Sequence, residues 1–348
     1  MNSLKEHSEK LNSADEADRI YAAEDIGYLE GAGGVPVLLE RLEKENSRAV
    51  REAIFQALTR IEADAAIEGC VALLGHDDSQ IRNQAAEVLR RKDRASVPFL
   101  QAAMRSGDKD VRKMILDVLM GFQAAGTEAI YEAALSDPEL NVVITAVENL
   151  GKTRSTRFRP QIERLLQSSA HPMLDGACLE ALAGIGNERS LQAIQVRFPE
   201  LGKIPNFFLV SWLKAFGSLG TTREFPEVAG LLTTRGPQLM PAILASLIAI
   251  HKRNPEQSQG DVLLPAIRAV AENGDLPLGR YQAVRSLGFL SVREDVYAFL
   301  LECLSSSERL VRLAAIESLR MGPRRGLESV FAACALAEKD EEVLQAMS

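Results

Sequence analysis

The chain has 348 residues, more than one compact core usually supports, so it folds either as several domains or as an array of repeats. Hydrophobic residues make up 46% of it and aromatic residues only 5%. This small, aliphatic composition favours packed helices over strands. The net charge of −8 argues against a protein whose main role is to neutralise nucleic-acid phosphates. Because the chain has neither a signal-like N-terminus nor a long apolar stretch, we expect a cytoplasmic protein without membrane insertion.

Residues 1–17 are polar and are expected to form a capping helix or a tail. From residue 18 onwards a nine-residue pattern recurs, as in VREAIFQAL (50–58) and VRKMILDVL (111–119). Its fifth position is small or apolar and its ninth is apolar, so the two lie one turn apart on a buried helix face. The predicted copies begin at Asp18, Val50, Ile81, Val111, Val142, Leu174, Ser211, Pro241, Gly279 and Val311.

A second helix is predicted before each copy. Proline marks its start in half of the repeats, where the missing N–H has no intrahelical acceptor. These prolines are Pro36, Pro98, Pro160, Pro226 and Pro265. Polar turns such as GHDDS (75–79) then separate the two helices. One repeat is therefore predicted to be helix, tight turn, helix and short loop.

Arginine fills the second position of six copies, at Arg19, Arg51, Arg82, Arg112, Arg280 and Arg312. Two interpretations are open: the guanidinium groups form an anion-binding track, or each pairs with a polar group four or five residues earlier. The candidate partners in those turns are Asn46, Asp77, Asp108, Asp275 and Glu308. Because the partners recur at matching offsets, the pattern favours a structural ladder that ties successive repeats together.

The core [VI]-R-x-x-A-x-x-x-L, with its proline-started first helix and Asp in the turn, resembles the HEAT family. The short bacterial HEAT-like repeats related to phycobilin lyases are especially similar. The resemblance implies an all-α fold, a right-handed α-α superhelix (an α-solenoid) of about ten helix-turn-helix repeats over residues 18–323. HEAT proteins include scaffolds, adaptors and a few enzymes, so the resemblance predicts the fold more sharply than the function.

The central copies depart from the pattern. Their second position holds Val143, Asp175, Trp212 and Ala242. The spacing lengthens to 37 and 38 residues around two insertions, residues 198–208 and 251–261. We expect these insertions to be loops that decorate one face of a single repeat array. Residues 324–348 are predicted to form a C-terminal capping helix.

Three aromatic residues near the middle of the array are the candidate partner-binding residues: Phe207, Phe208 and Trp212. Phe208 and Trp212 are four residues apart and therefore share a helix face, with Phe216 one further turn along. In one interpretation Trp212, the only tryptophan in the chain, belongs to an exposed hot spot for a partner protein. In the other, the insertion folds back and buries these rings as a local core.

No catalytic, metal or cofactor site is predicted. The four histidines and the four cysteines are far apart, and no nucleotide-binding or nucleophile motif is present. The leading hypothesis is therefore a non-enzymatic scaffold or adaptor that binds another protein on the concave surface of the solenoid. Nucleic acid is not the expected partner.

Two alternatives stay open. A bilin lyase or isomerase-like subunit would share these repeats, although no residue here matches a bilin site. A HEAT-like DNA-binding or repair protein would account for the basic residues clustered between residues 82 and 113. The acidic net charge and the single tryptophan count against the DNA alternative.

Overall fold

The computed structural model describes residues 2–120, 122, 126–255, 258–273, 276–322 and 326–348. Every regular element in these residues is a helix, as the composition predicts. The chain divides into two compact units, residues 1–149 and 150–348. The boundary falls inside helix α10 (Leu140–Lys152), which begins in the first unit and ends in the second.

The first unit contains two layers of helices. The even-numbered helices carry the nine-residue pattern, and each packs against the next, from α2 to α8. The odd-numbered helices pack in the same stepwise manner from α3 to α9. The helices are α1 (Asn2–Leu11), α2 (Glu16–Leu29), α3 (Val35–Leu42), α4 (Arg48–Arg60), α5 (Asp64–Ala72), α6 (Ser79–Lys92), α7 (Val97–Ala103), α8 (Lys109–Leu119) and α9 (Glu128–Ala134).

The second unit repeats this arrangement. Its even-numbered helices contact one another in order from α12 to α22, while α11 packs on α13 and α15 on α17. The helices are α11 (Arg159–Ser168), α12 (Pro172–Ile185), α13 (Glu188–Arg197), α14 (Asn206–Leu219), α15 (Phe225–Thr234), α16 (Met240–Arg253), α17 (Ser258–Asn273), α18 (Pro277–Ser286), α19 (Glu294–Cys303), α20 (Arg309–Arg320), α21 (Leu327–Ala335) and α22 (Glu341–Met347).

Polar residues in the turns begin the pattern-bearing helices. The side chains of Ser47, Asp78 and Asp108 accept hydrogen bonds from backbone N–H groups in the first turns of α4, α6 and α8. These N–H groups have no partner within the helix, so a capping oxygen stabilises the start by about 1 kcal/mol. The recurring Asp in the turn therefore stabilises the start of the helix that follows it.

The proline prediction is confirmed for four helices and wrong for one. Pro36, Pro98, Pro160 and Pro226 lie in the first turns of α3, α7, α11 and α15. Pro265 instead lies inside α17, which begins at residue 258. The sequence preceding Pro265 is long enough to add almost two helical turns. Pro265 therefore does not mark a helix start, and because it has no N–H, α17 lacks one internal hydrogen bond.

Glycines mark the closest contacts between successive pattern-bearing helices. A Cβ atom on Gly27 would lie 2.8 Å from the Cα of Ala57, and one on Gly151 would lie 2.7 Å from the Cα of Ala181. In both pairs the glycine is the tenth residue of one copy and the alanine is the eighth residue of the next. The glycine therefore lets two helix backbones approach each other without a steric clash.

This contact reveals that the predicted register of α14 and α16 is wrong. Gly217 packs against Ser246 in the same way, since a Cβ on Gly217 would lie 3.0 Å from the Ser246 Cα. The copies therefore begin at Phe208 and Leu239, three and two residues before the predicted starts. In the predicted register the core position of α16 would be Ala245, which is exposed.

The C-terminal segment contains two helices where the sequence predicts one. Helix α22 packs against both α20 and α21, so the pair resembles one further repeat. Asp340 caps α22 by accepting hydrogen bonds from the N–H groups of Glu342 and Val343. The predicted boundary between residues 323 and 324 lies outside the described residues.

Candidate functional site

Five of the six second-position arginines are seen to bind the turn that precedes their own helix. Arg82 Nη1 donates to the carbonyl oxygens of His76 and Asp77 at 2.6 and 2.8 Å, six and five residues earlier. The carbonyl six residues earlier also accepts a hydrogen bond from Arg19, Arg51, Arg112 and Arg312. The side-chain partners predicted in these turns are therefore replaced by backbone carbonyls, which no helix hydrogen bond occupies.

Most of these arginines also reach a carboxylate in the next repeat. Arg112 donates from Nε and Nη2 to both oxygens of Asp137, at 2.7 and 2.9 Å. The equivalent contacts join Arg19 to Glu45, Arg51 to Asp78, Arg280 to Glu308 and Arg312 to Glu338. The carboxylates lie 25 to 28 residues after their arginines. Asp275, a predicted partner of Arg280, lies outside the described residues.

At one position this ladder has reversed charges. Asp175 occupies the second position of the copy that begins at Leu174, and its Oδ2 accepts a hydrogen bond from Arg197 Nη2 at 2.7 Å. The Asp175 side chain is 3% exposed and that of Arg197 is 32% exposed. Aspartate is shorter than arginine and has no donor, so it makes no hydrogen bond to the preceding turn's carbonyls.

A cavity of about 350 Å³ adjoins this pair. Prolines and two phenylalanines form much of its wall, and two further charged residues, Glu200 and Lys203, pair with each other at 2.8 Å. The cavity is lined by Ala170, Pro172, Asp175, Arg197, Phe198, Pro199, Glu200, Lys203, Ile204, Pro205 and Phe208. We call it the Phe208 cavity.

Arg235 holds the insertion that forms one wall of the Phe208 cavity. Its Nη2 donates to the carbonyl oxygens of Gly202 and Ile204 at 2.8 and 3.0 Å, and its Nη1 donates to Asn206 Oδ1 at 2.9 Å. Leu201 and Ile204 are buried beneath the same segment. Residues 198–208 therefore fold back onto the unit as an ordered wall instead of extending as a loop.

The three predicted aromatic residues have different environments. Trp212 is 3% exposed and stacks on Phe216, with ring centroids 4.1 Å apart. In the corrected register it occupies the fifth, core-facing position, so the exposed-anchor interpretation is wrong for Trp212. Phe208 is half-buried in the cavity wall, with its ring centroid 6.1 Å from that of Phe198. Phe207 is 69% exposed and contacts Phe208 edge to face at 5.1 Å.

A second surface lies between α4 and α6 in the first unit. Two cavities of about 260 and 370 Å³ share Glu52, Phe55, Gln84 and Glu87. Phe55 is buried and forms an apolar base, while the surrounding side chains are polar and carry both charges. This groove is therefore built from two successive pattern-bearing helices.

Several basic residues of the first unit make contacts within the protein. Arg90 and Arg91 both pair with Glu87, at 3.3 and 3.0 Å. Lys92 Nζ donates to the carbonyl oxygens of Thr59 and Ile61. Within the described residues, no three His, Cys, Asp or Glu side chains are arranged to hold a metal ion. No helix in the same residues is long and apolar enough to span a membrane.

A family model described as HEAT repeats matches residues 5–90. The matched residues, about a quarter of the chain, are therefore similar to HEAT repeats in sequence. No curated protein sequence matches it. The HEAT match begins within α1, so the segment predicted as a cap or tail belongs partly to the matched region.

Solved HEAT-type solenoids share the fold. A crystal structure of importin beta in an ammonium sulfate condition has a TM-score of 0.55 and 12% sequence identity, covering 99% of this chain and 56% of that one. A crystal structure of Kap121p has a TM-score of 0.56 and 12% identity, covering 99% of this chain and 44% of that one. This chain therefore spans about half the length of these structures. The α-solenoid class is confirmed, whereas the ten repeats and the right-handed sense stay predictions.

Proposed function

We propose that this HEAT-repeat chain is a non-enzymatic scaffold or adaptor that binds another protein, and that the Phe208 cavity is one contact site. The observation that carries the proposal is the exposed ring of Phe207 beside a cavity with an apolar wall. Aromatic side chains next to a pocket are typical anchors of protein interfaces, because they bury a large area with little loss of conformational entropy. The fold similarity to importin beta and Kap121p supports the choice of a protein partner.

The contacts around the cavity favour a preformed site. Arg235 fixes the insertion through several hydrogen bonds, and Leu201 anchors it from below. A wall that is already ordered loses little conformational entropy when a partner binds. Phe207 is not needed for the core, so its exposure points to a role outside folding.

Affinity capture from the native cell tests the proposal with a matched pair of variants. Phe207→Ser removes the exposed ring next to the cavity, and Leu336→Ser removes a side chain that is 91% exposed elsewhere in the same unit. We expect at least one protein that wild type and Leu336→Ser retain and Phe207→Ser loses, measured by quantitative mass spectrometry. Capture of the same proteins by all three, or of nucleic acid alone, would contradict the proposal.

A further inference from the structure

The ion pair beside the Phe208 cavity lacks two of its possible hydrogen bonds. Arg197 Nη2 donates to Asp175 Oδ2, but Asp175 Oδ1 and Arg197 Nε are buried without a hydrogen-bond partner in the described part of the chain. A buried polar atom without a partner is costly, and such atoms are uncommon in folded proteins. The pair therefore offers one unused acceptor and one unused donor next to the cavity.

The charges around the cavity select a neutral group. Asp175 is paired with Arg197, and Glu200 is paired with Lys203. A charged ligand would lose its hydration on entry without meeting an unpaired opposite charge. A neutral group that carries both a donor and an acceptor avoids that cost.

We propose that the Phe208 cavity binds the primary carboxamide of an asparagine or glutamine side chain of the partner; this inference rests on the proposed function. The carboxamide N–H donates to Asp175 Oδ1, and its carbonyl oxygen accepts from Arg197 Nε. A primary carboxamide presents a donor and an acceptor side by side, whereas an ammonium group lacks the acceptor and a carboxylate lacks the donor.

Both atoms are buried in this structure, so ligand binding requires the side chains of the pair to move. The last torsion of an aspartate side chain is soft, so rotation of the Asp175 carboxylate turns Oδ1 toward the cavity. Phe198 and Phe208 then pack against the methylene groups that carry the carboxamide. Phe207, which contacts Phe208 and is exposed, lies where an apolar residue adjacent to the carboxamide would bind.

Capped dipeptides test this chemistry on the full-length protein. The probe is N-acetyl-Phe-Gln-N-methylamide, and the matched peptides replace Gln by Glu or by Met. The Glu peptide loses the donor and gains a charge, while the Met peptide keeps the approximate length and loses both polar groups. Binding is measured from the NMR signal of the Arg197 Nε–H group, which is assigned by its loss in Arg197→Lys.

We expect the Gln peptide to shift this signal in a saturable way and to bind about tenfold tighter than the Glu and Met peptides. Equal binding of the three peptides, tighter binding of the Glu or Met peptide, or no shift at millimolar concentration would overturn the inference.

Variants separate the carboxamide chemistry from the fold and from the proposed function. With binding followed by the backbone amide signals of residues 198–208, Asp175→Asn and Arg197→Lys should reduce the preference for Gln to about twofold or less. Glu188→Gln, an exposed change at the opposite end of α13 from Arg197, should leave the preference for Gln intact. If Asp175→Asn does not fold, Arg197→Lys decides. An intact preference for Gln in Arg197→Lys overturns the inference.

If wild type shows no preference for Gln while Phe207→Ser still loses a captured protein, the carboxamide inference fails and the proposed function stands.

Discussion

Asp175 accepts a hydrogen bond from Arg197, 22 residues further along the chain, and so reverses the charges that join Arg112 to Asp137. At Arg112 the long side chain fills the space between its own turn and the next one. At Asp175 the side chain is shorter, and a cavity of about 350 Å³ adjoins the pair. The second position of the pattern therefore stabilises the array in most copies. In the copy that begins at Leu174, it forms part of the wall of a candidate binding site.

Replacing a ladder arginine should destabilise the protein according to the contacts that it makes. Arg112→Gln leaves Asp137, which is 5% exposed, without its charged partner, so we expect a loss of about 3 kcal/mol. Arg82→Gln removes hydrogen bonds to two carbonyls and should cost about 1 kcal/mol. Urea unfolding followed by circular dichroism measures both. Equal losses for the two variants would show that the carboxylate contact adds nothing to the ladder.

The close helix contacts predict opposite effects for two glycine substitutions in the second unit. Gly151→Ala places a Cβ 2.7 Å from the Cα of Ala181, so the helices must separate, at a cost of about 1 to 3 kcal/mol. Gly176 lies inside α12, and a Cβ atom added to it would meet no neighbouring atom within 4 Å. Gly176→Ala should therefore stabilise that helix by about 0.5 to 1 kcal/mol. Thermal unfolding compares them. A stabilised Gly151→Ala variant would disprove the close-contact role of Gly151.

Trp212 should behave as a core residue. Trp212→Ala removes a ring stacked on Phe216 and should cost about 3 to 5 kcal/mol. Phe207→Ala changes an exposed ring and should alter the free energy of unfolding by about 0.5 kcal/mol or less. In wild type, tryptophan emission should be blue-shifted and resist quenching by acrylamide. Red-shifted, readily quenched emission would place Trp212 in solvent and contradict this structure.

Glu45 should make the first unit sensitive to acid. Burial raises the pKa of Glu45. Hydrogen bonds from the Ser47 N–H, Arg41 and Arg19 together lower it by more than burial raises it, so its pKa lies below the ordinary value. A carboxyl group with a lowered folded-state pKa stabilises the protein above its unfolded pKa of about 4.3. That stabilisation is lost as the pH falls through the folded-state pKa.

The free energy of unfolding of wild type should therefore decline below about pH 4. Glu45→Gln should be less stable at pH 7 and show a shallower decline in acid. Urea unfolding at several pH values between about 3 and 7 compares the two proteins. Parallel pH profiles would rule out Glu45 as a contributor.

The sequence predicts most of the repeat fold because each copy places a small residue and an apolar residue one turn apart. The predicted register is wrong in α14 and α16, where nine of the fourteen residues of each helix are apolar. Ala215 and Ala245 imitate the small fifth position, yet the burial pattern places Trp212 and Ile243 there. A shift of two or three residues on such a helix keeps an apolar face, so the sequence does not fix the register. Burial and the contact between Gly217 and Ser246 do.

The candidate site was only partly predictable. Phe207 and Phe208 are identified from the sequence because an aromatic cluster begins at the end of an insertion. Asp175 carries a signal too, since it interrupts a column of arginines, but its partner Arg197 lies 22 residues away in a different helix. Arg235, which orders the cavity wall, lies 33 residues after the carbonyl of Gly202. Both contacts join residues that are far apart in the sequence, and no local pattern records such a pairing.

Hydrogen exchange on the full chain tests whether a partner protein binds at the Phe208 cavity. It is measured with and without the protein that wild type captures and Phe207→Ser loses. We expect binding to slow amide exchange in residues 198–210, where the Phe208 cavity and the start of α14 lie. Exchange in α18 to α20, away from the cavity residues, should stay unchanged. Protection confined to other parts of the chain, with residues 198–210 exchanging as in the free protein, would show that the partner binds elsewhere.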